Sequence, residues 1–399
     1  MRNWLRFGRA RAAARGREAG GGEAKASRTG ALVAFSRLGR PVWTPRDYAA
    51  LAREGFGRNP VVYRAVRTIS EAAASVPWLV FEDEHEIDDH PLARLLARPG
   101  GQRAGAELME AIYGHLLVAG NAYLEAVSVD GEVRELHALR PDRMKVVPGA
   151  DGWPSAYDYS VGGRSVRFAA ESEAGVRPIL HLRLFHPTDD HYGFAPIEAA
   201  LTSLDIHNAA GAWAKALLDN SARPSGALVY SGGEGGNLSD EQFDRLKKEL
   251  EEGFSGARNA GRPLLLEGGL DWRAMALTPR DMDFVEAKNL AAREIALAFG
   301  VPPMLLGIPG DNTYANYQEA NRALWRQTVL PLVARTAAAL SAWLAPAFDR
   351  PVRLSFDVDA VEALSTEREA LWARVGAAGF IDDDEKRAAV GYGPRRGRD

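Results

Sequence analysis

Apolar positions recur at three- and four-residue spacing over long stretches of this chain and alternate over short ones. In DMDFVEAKNLAAREIALAFGVPPMLLGIPG, Asp281 to Gly310, the positions Met282, Val285, Asn289, Ala292 and Ala296 fall on one face of a predicted helix. Asp281 and Asp283 put negative charge at its N-terminus, where the helix dipole favours it. At about 1.5 Å per residue, Asp281 to Phe299 makes a rod of roughly 28 Å. Gly300 suits the C′ position and Pro302-Pro303 cannot continue the helix. A second long pattern opens at Phe194-Ala195-Pro196 and runs to Asn220, with Ile197, Leu201, Leu204, Trp213 and Leu217 apolar and Asp205, His207 and Lys215 between them. A helix this polar needs partners rather than a deep core. A third, Tyr317 to Leu344, carries Leu324, Thr328, Leu332 and Trp343 as packing residues and is expected to bend or break at Pro331.

Ahead of these, Asn59-Pro60 opens a helix with Val62, Val66, Ile69 and Ala73 on one face, and Pro77 closes it before a strand, Trp78 to Glu82. His90 to Ala97 and Ala104 to Ala119 read as two further helices. Four short alternating runs follow: Ala122 to Val127, Glu132 to Leu139, Met144 to Val147 and Tyr157 to Val161. Asp130-Gly131, Pro141-Asp142 and Asp151-Gly152 separate them as hairpin signals. Between the long helices, Ala227 to Tyr230, Pro263 to Leu266 and Leu270 to Met275 read as strands, and Ser239 with Gln242 caps a helix lined by Phe243, Leu246, Leu250 and Phe254. After a strand at Val352 to Phe356, Thr366 to Ala378 and Asp382 to Val390 form a helical hairpin. The class is α+β.

Length and charge narrow the function. A chain of 399 residues predicts two or three packed units, and a formal charge of −4 argues against overall attraction to nucleic acid. There is no cysteine, which excludes disulfides, thiolate metal sites and cysteine nucleophiles. No apolar run reads as long enough for a bilayer, so the expectation is a soluble protein made in the cytoplasm, with no membrane partner. Residues 1–45 carry Arg2, Arg6, Arg9, Arg11, Arg15 and Arg17 with little apolar patterning and read as a mobile basic arm touching DNA, a shell or nothing; Arg395, Arg396 and Arg398 end the chain. Gly232 to Gly236 lacks the Lys-Ser/Thr ending of a phosphate loop and reads as a surface turn.

The loop HPTDDHYG, His186 to Gly193, holds His186, Asp189, Asp190 and His191, all ligand types. Pro187 and Gly193 mark a turn, and no two histidines stand at helical spacing, so local side-chain to backbone bonding is the preferred reading. The competing one is a metal-dependent hydrolase centred on His186, Asp190 and His191. No nucleophile with a base and orienter stands at recognisable spacing.

Six segments in order carry a resemblance: NPVVYRAVRTISEAAASVPW (from Asn59), GHLLVAGNAYLE (Gly114), LHALRPDRMKVV (Leu136), NSARPSGAL (Asn220), NAGRPLLLEGGLDW (Asn259), and AFGVPPMLLG (Ala298) followed by YANYQEANRALWRQTVLPL. Over positions 59 to 392 the chain resembles portal proteins of tailed bacteriophages, in the branch shared by long-tailed phages and gene transfer agents; its Arg/Ala/Gly-rich composition leans toward the latter. The resemblance implies a basic arm (1–45), a wing (46–195), a first stem helix (196–224), a clip (225–278), a second stem helix (279–300), a tunnel loop (301–316), a long wing helix with its closing strand (317–358), and a short helical crown and tail (359–399).

It further implies a non-enzymatic ring, dodecameric, at one capsid vertex of a virion or phage-like particle, passing double-stranded DNA and docking the terminase large subunit, a head-tail adaptor and the major capsid protein. No cofactor or metal is expected. Gly307, Ile308, Pro309, Gly310, Asp311, Asn312, Thr313 and Tyr314 then belong to the tunnel loop. Asp283, Glu286, Lys288, Arg293 and Glu294 line the channel, and Arg262, Pro263, Leu264, Glu267 and Trp272 lie in the clip. Four acids, Asp281, Asp283, Glu286 and Glu294, against Lys288 and Arg293 leave the second stem helix at −2. A protein that grips DNA sets Lys and Arg against phosphates, whereas a conduit must let the duplex slide. The expectation is a low-affinity channel with steric loop contacts.

Overall fold

A computed structural model describes residues 43–83, 85–172, 175–219, 226–230, 239, 241, 244, 245, 248, 270–274, 284–310 and 314–393. After short helical turns between Tyr48 and Phe56, the first long helix, α1 (Pro60–Ala74), starts at Asn59. Its side chain accepts from the Val61 and Val62 N–H groups at 3.0 and 3.1 Å, which satisfies two donors the first turn leaves unpaired. Val62, Ala65, Val66, Ile69 and Ala73 are buried, the predicted face. Strand β1 (Trp78–Glu82) pairs antiparallel with the two-residue β2 (His85–Glu86). Helices α2 (Pro91–Ala97) and α3 (Gly105–Ala119) follow, and α3 lies on α1.

Strands β3 (Asn121–Val129) and β4 (Glu132–Leu139) turn at Asp130-Gly131, where both residues take positive φ, 53° and 83°, as a two-residue primed turn requires. β5 (Met144–Pro148) and β6 (Pro154–Val161) match the next predicted hairpin. Besides the two-residue β2, two strands were not foreseen. β7 (Arg164–Ala169) pairs with β6 around Gly162-Gly163, φ 57° and 78°, and β8 (Ile179–Arg183) pairs with β3. The sheets are thus β4-β3-β8 and β5-β6-β7, with Tyr123, Leu139, Met144, Val146, Tyr157 and Ile179 in a separate cluster between them.

The predicted second long helix divides into a four-residue turn, Pro196–Ala199, and α4 (Leu201–Asp219). Strands β9 (Gly226–Tyr230) and β10 (Leu270–Ala274) form an antiparallel ribbon. The strand expected at Pro263 to Leu266 lies outside the described residues, as does all of the intervening helix except positions 241, 244, 245 and 248. Helix α5 (Phe284–Ala298) is followed by α6 (Tyr314–Leu324) and α7 (Leu330–Leu344). Pro331 does not break the last two apart. A π turn, Trp325–Val329, joins them, and the Leu330 N–H bonds to the Trp325 carbonyl five residues back. The wider turn accommodates the proline ring and its missing N–H.

Strand β11 (Val352–Phe356) pairs antiparallel with β1, Trp78 opposite Phe356. Everything from α4 to α6 is therefore inserted between partners of one sheet. The hairpin α8 (Ser365–Gly376) and α9 (Asp383–Val390) closes the described chain; Asp382 and Glu385 form a reciprocal capping box, and Tyr392 Oη donates to Asp359 Oδ2 at 2.8 Å. Residues 1–42 of the predicted basic arm and Arg395, Arg396 and Arg398 lie outside the described residues.

One expectation about hydrophobicity needs correction. By length and composition Ala315–Ala347 could cross a membrane. Val329, Val333, Ala337, Leu340, Trp343 and Leu344 instead pack into the main core with α1, α3 and β11, which accounts for its apolar character.

Asn59 also ties this core to α4. Its fully buried amide donates to His207 Nδ1 at 3.1 Å and Asn208 Oδ1 at 3.0 Å. Losing the cap costs about 1 kcal/mol, and orphaning buried acceptors adds about 2 more. Asn59→Ala is therefore expected to lower the urea-unfolding free energy by about 3 kcal/mol, and Asn59→Asp, which keeps the cap but lacks the donor to α4, by about 2 kcal/mol or more. A loss of only about 1 kcal/mol in Asn59→Ala, the share of the cap, would remove the link to α4.

Candidate functional site

The two long helices of the insertion stand antiparallel. Ser203, near the start of α4, donates to Glu294 Oε2 near the end of α5 at 2.5 Å. Farther along, Lys288 lies close enough to His207 to oppose its protonation; burial is the larger cause of that histidine's lowered pKa. The buried side of α5 is Ala291, Ala292, Ile295, Ala296 and Phe299. Ala292 and Ala296 are on the predicted face, but Val285 is 70% exposed, because the packing stripe is rotated toward Ile295. On the opposite side Leu290 and Leu297 are 57% and 79% exposed beside Glu286 and Arg293, leaving an apolar stripe that the described residues do not cover.

Gly300, φ 67°, ends α5 as predicted: its N–H bonds to Leu297 and the Val301 N–H to the Ala296 carbonyl. A 3₁₀ turn, Pro303–Leu306, leads to Gly307 at φ 72°. Ile308 is only 6% exposed and fills a small cluster with Ala292 and Ala296, so its side chain anchors the loop rather than reaching out of it. Pro309 and Gly310 are exposed, and the Arg293 guanidinium donates to the Pro309 carbonyl. Tyr314 is the first residue of α6. Asp311, Asn312, Thr313 and Asp283 lie outside the described residues, as do Arg262, Pro263, Leu264 and Glu267 of the predicted clip; Trp272 is placed on β10. Thus Glu286, Lys288, Arg293 and Glu294 share one helix, with Arg293 committed to the loop and Glu294 to α4.

The His186 to Gly193 loop is a polar turn. Asp189 Oδ1 accepts from the His191 and Tyr192 N–H groups at 2.8 and 2.9 Å. Burial alone would raise the Asp189 pKa; these two backbone bonds, together with the nearby His186 and His191, overcome it and hold the group below the ordinary carboxylate range. His186 Nδ1 accepts from Thr188 N at 3.2 Å, Arg183 donates to the Asp190 carbonyl, and Asn121 Oδ1 accepts from Gly193 N at 2.8 Å. The glycine there is forced: a Cβ on Gly193 would lie 2.1 Å from the Gly120 carbonyl. Among the described residues, no group of three or more His, Asp or Glu is gathered that could hold a metal ion. Sequence reasoning read Asn59 only as a helix opener and missed its tie to α4, Ser203 and the anchoring of Ile308. Of these only the Asn-Pro cap had a local signal; the others depend on what the fold places opposite them.

Residues 60–391 match the family described as phage portal protein. An uncharacterized protein of Rickettsia bellii (strain RML369-C) is 43% identical over 340 residues, 85% of this chain and 88% of that protein. A chain in the neck of an empty GTA particle, computed with C6 symmetry, is 57% identical, with a TM-score of 0.70 over 90% of this chain and 96% of that one. A chain in the neck of a native GTA particle, computed with C12 symmetry, is 56% identical, with a TM-score of 0.67 and the same coverage.

Proposed function

The chain belongs to the phage portal protein family, and from that membership we propose that twelve copies form the ring through which double-stranded DNA enters and leaves a gene-transfer-agent-like particle. The family is structural rather than enzymatic, and in the turn at His186 to Gly193 the His186 Nδ1 and Asp189 Oδ1 atoms accept backbone N–H bonds. In this reading residues 46–195 and 317–358 form the wing, α4 and α5 the stem, β9 and β10 part of the clip, Gly307 to Tyr314 the tunnel loop, and α8 with α9 the crown. The clip meets the terminase and later the adaptor, and the wing meets the shell.

One observation carries the ring. Leu290 and Leu297 are exposed on the outer side of α5, on a helix pair inserted between β1 and β11. A head-to-tail ring covers such a stripe with the next subunit. The purified chain is expected to give hollow rings in class averages, and Leu290→Glu with Leu297→Glu to shift it to smaller species while leaving its circular dichroism unchanged. Duplex binding through the bore should be weak with a shallow salt slope. A stable monomer inside an otherwise complete particle, or a steep slope, overturns the reading.

A further inference from the structure

The loop after α5 is fastened to that helix at two neighbouring points, and both fastenings come from residues whose sequence context suggested something else. Ile308 sits in the slot that Ala292 and Ala296, one helical turn apart, leave open. One position along, Arg293 gives its guanidinium to the Pro309 carbonyl. As a residue Pro309 offers its carbonyl as an acceptor and no backbone donor. No carboxylate stands within salt-bridge distance of Arg293 among the described residues. Gly310 completes the seat: a Cβ there would lie 2.6 Å from Arg293 Nη2, so the guanidinium occupies the space a side chain would take. Gly307, in the left-handed region at φ 72°, is the bend ahead of the fastening.

We propose that Arg293 is the positioning residue for the tunnel loop, a latch that holds the loop's root on the second stem helix. The assignment of a channel role to this loop rests on the function proposed above; the latch itself rests on the geometry alone. It also gives Arg293 a part besides any phosphate contact, since one arm of its guanidinium is held by a carbonyl. A lysine at this position carries the charge without the planar fork and holds the loop only in part.

The chain has no cysteine, so Asn312→Cys supplies a single spin-label site in the assembled ring. The label's mobility is compared in otherwise unchanged rings, in Arg293→Gln, in Arg293→Lys, and in Gly310→Ala, which displaces the guanidinium without removing it. Ring size is checked by light scattering. The expected result is a severalfold faster label in Arg293→Gln and Gly310→Ala and an intermediate one in Arg293→Lys. Unchanged mobility in both Gln and Ala variants overturns the latch. Particles carrying the same substitutions are then scored for DNA content: a freed loop with changed content supports both readings, and a freed loop with unchanged content upholds the latch while removing the loop from the channel.

Discussion

Between pH 7.5 and pH 5 the unassembled chain should lose about 4 kcal/mol of folding stability, and two histidines account for it. His181 stacks on Tyr123 at 4.2 Å, meets the edge of Tyr157 at 5.9 Å, and pairs through Nε2 with Asn121 Oδ1 at 2.9 Å. Burial, then the nearby Arg183 and His191, lower its pKa to about 3. Burial likewise lowers His115, whose Nδ1 lies 3.2 Å from Tyr48 Oη, to about 4. An unfolded histidine titrates near 6.5, so below that pH the unfolded chain binds more protons and stability rises with pH.

The stabilisation is complete above about pH 6.5 and is lost progressively as pH falls toward 4 and then 3, each group contributing roughly 2 kcal/mol by pH 5. Glu54, Asp158, Asp189 and Asp359 all have lowered pKa values, so their own losses begin only at lower pH. Urea unfolding at the two pH values measures the difference, and His181→Gln should cut it by about half whatever it does to stability at pH 7.5. A difference below about 1 kcal/mol would mean that neither ring is held neutral in the folded chain.

Local chemistry made much of the fold legible. Asp130-Gly131 and the alternation on either side fix β3 and β4, and the strands at Trp78 to Glu82 and Val352 to Phe356 appear with the predicted bounds. Gly162-Gly163 was as good a hairpin signal as Asp-Gly, yet β7 was overlooked because its residues stay exposed and show little apolar alternation. Other features are not local at all. Periodicity assigns Val285 to the packed face of α5, but which stripe is buried is decided by α1, α4 and the returning loop. Counting charges on α5 gave the right inventory and incomplete roles, since Arg293 and Glu294 find partners in segments that the chain reaches only by folding back. The tie from Asn59 to α4 has the same origin: its cap is written in the Asn-Pro pair, its grip on His207 and Asn208 is not.

If the bore works by withholding positive charge, supplying it should stop DNA. Asp311→Lys with Asn312→Lys adds three charges per subunit at the part of the loop beyond the latch, repeated twelve times around the proposed ring. Each lysine that meets a phosphate releases counterions, so about eight simultaneous contacts would bring the salt slope of duplex binding to roughly −7 and make affinity fall by about 10⁴-fold between 50 and 200 mM salt. Held by that many contacts at low salt, the duplex no longer slides, and particles should carry truncated DNA or none while their rings and shells assemble normally. Asp311→Asn with Asn312→Gln changes the same side chains without adding cations and should leave packaging near its usual level, which separates charge from shape. A lysine ring with a shallow salt slope would place the loop away from the duplex. A steep slope with full-length DNA in every particle would show that the motor overcomes such contacts, and the absence of cations would then have no part in how the channel works.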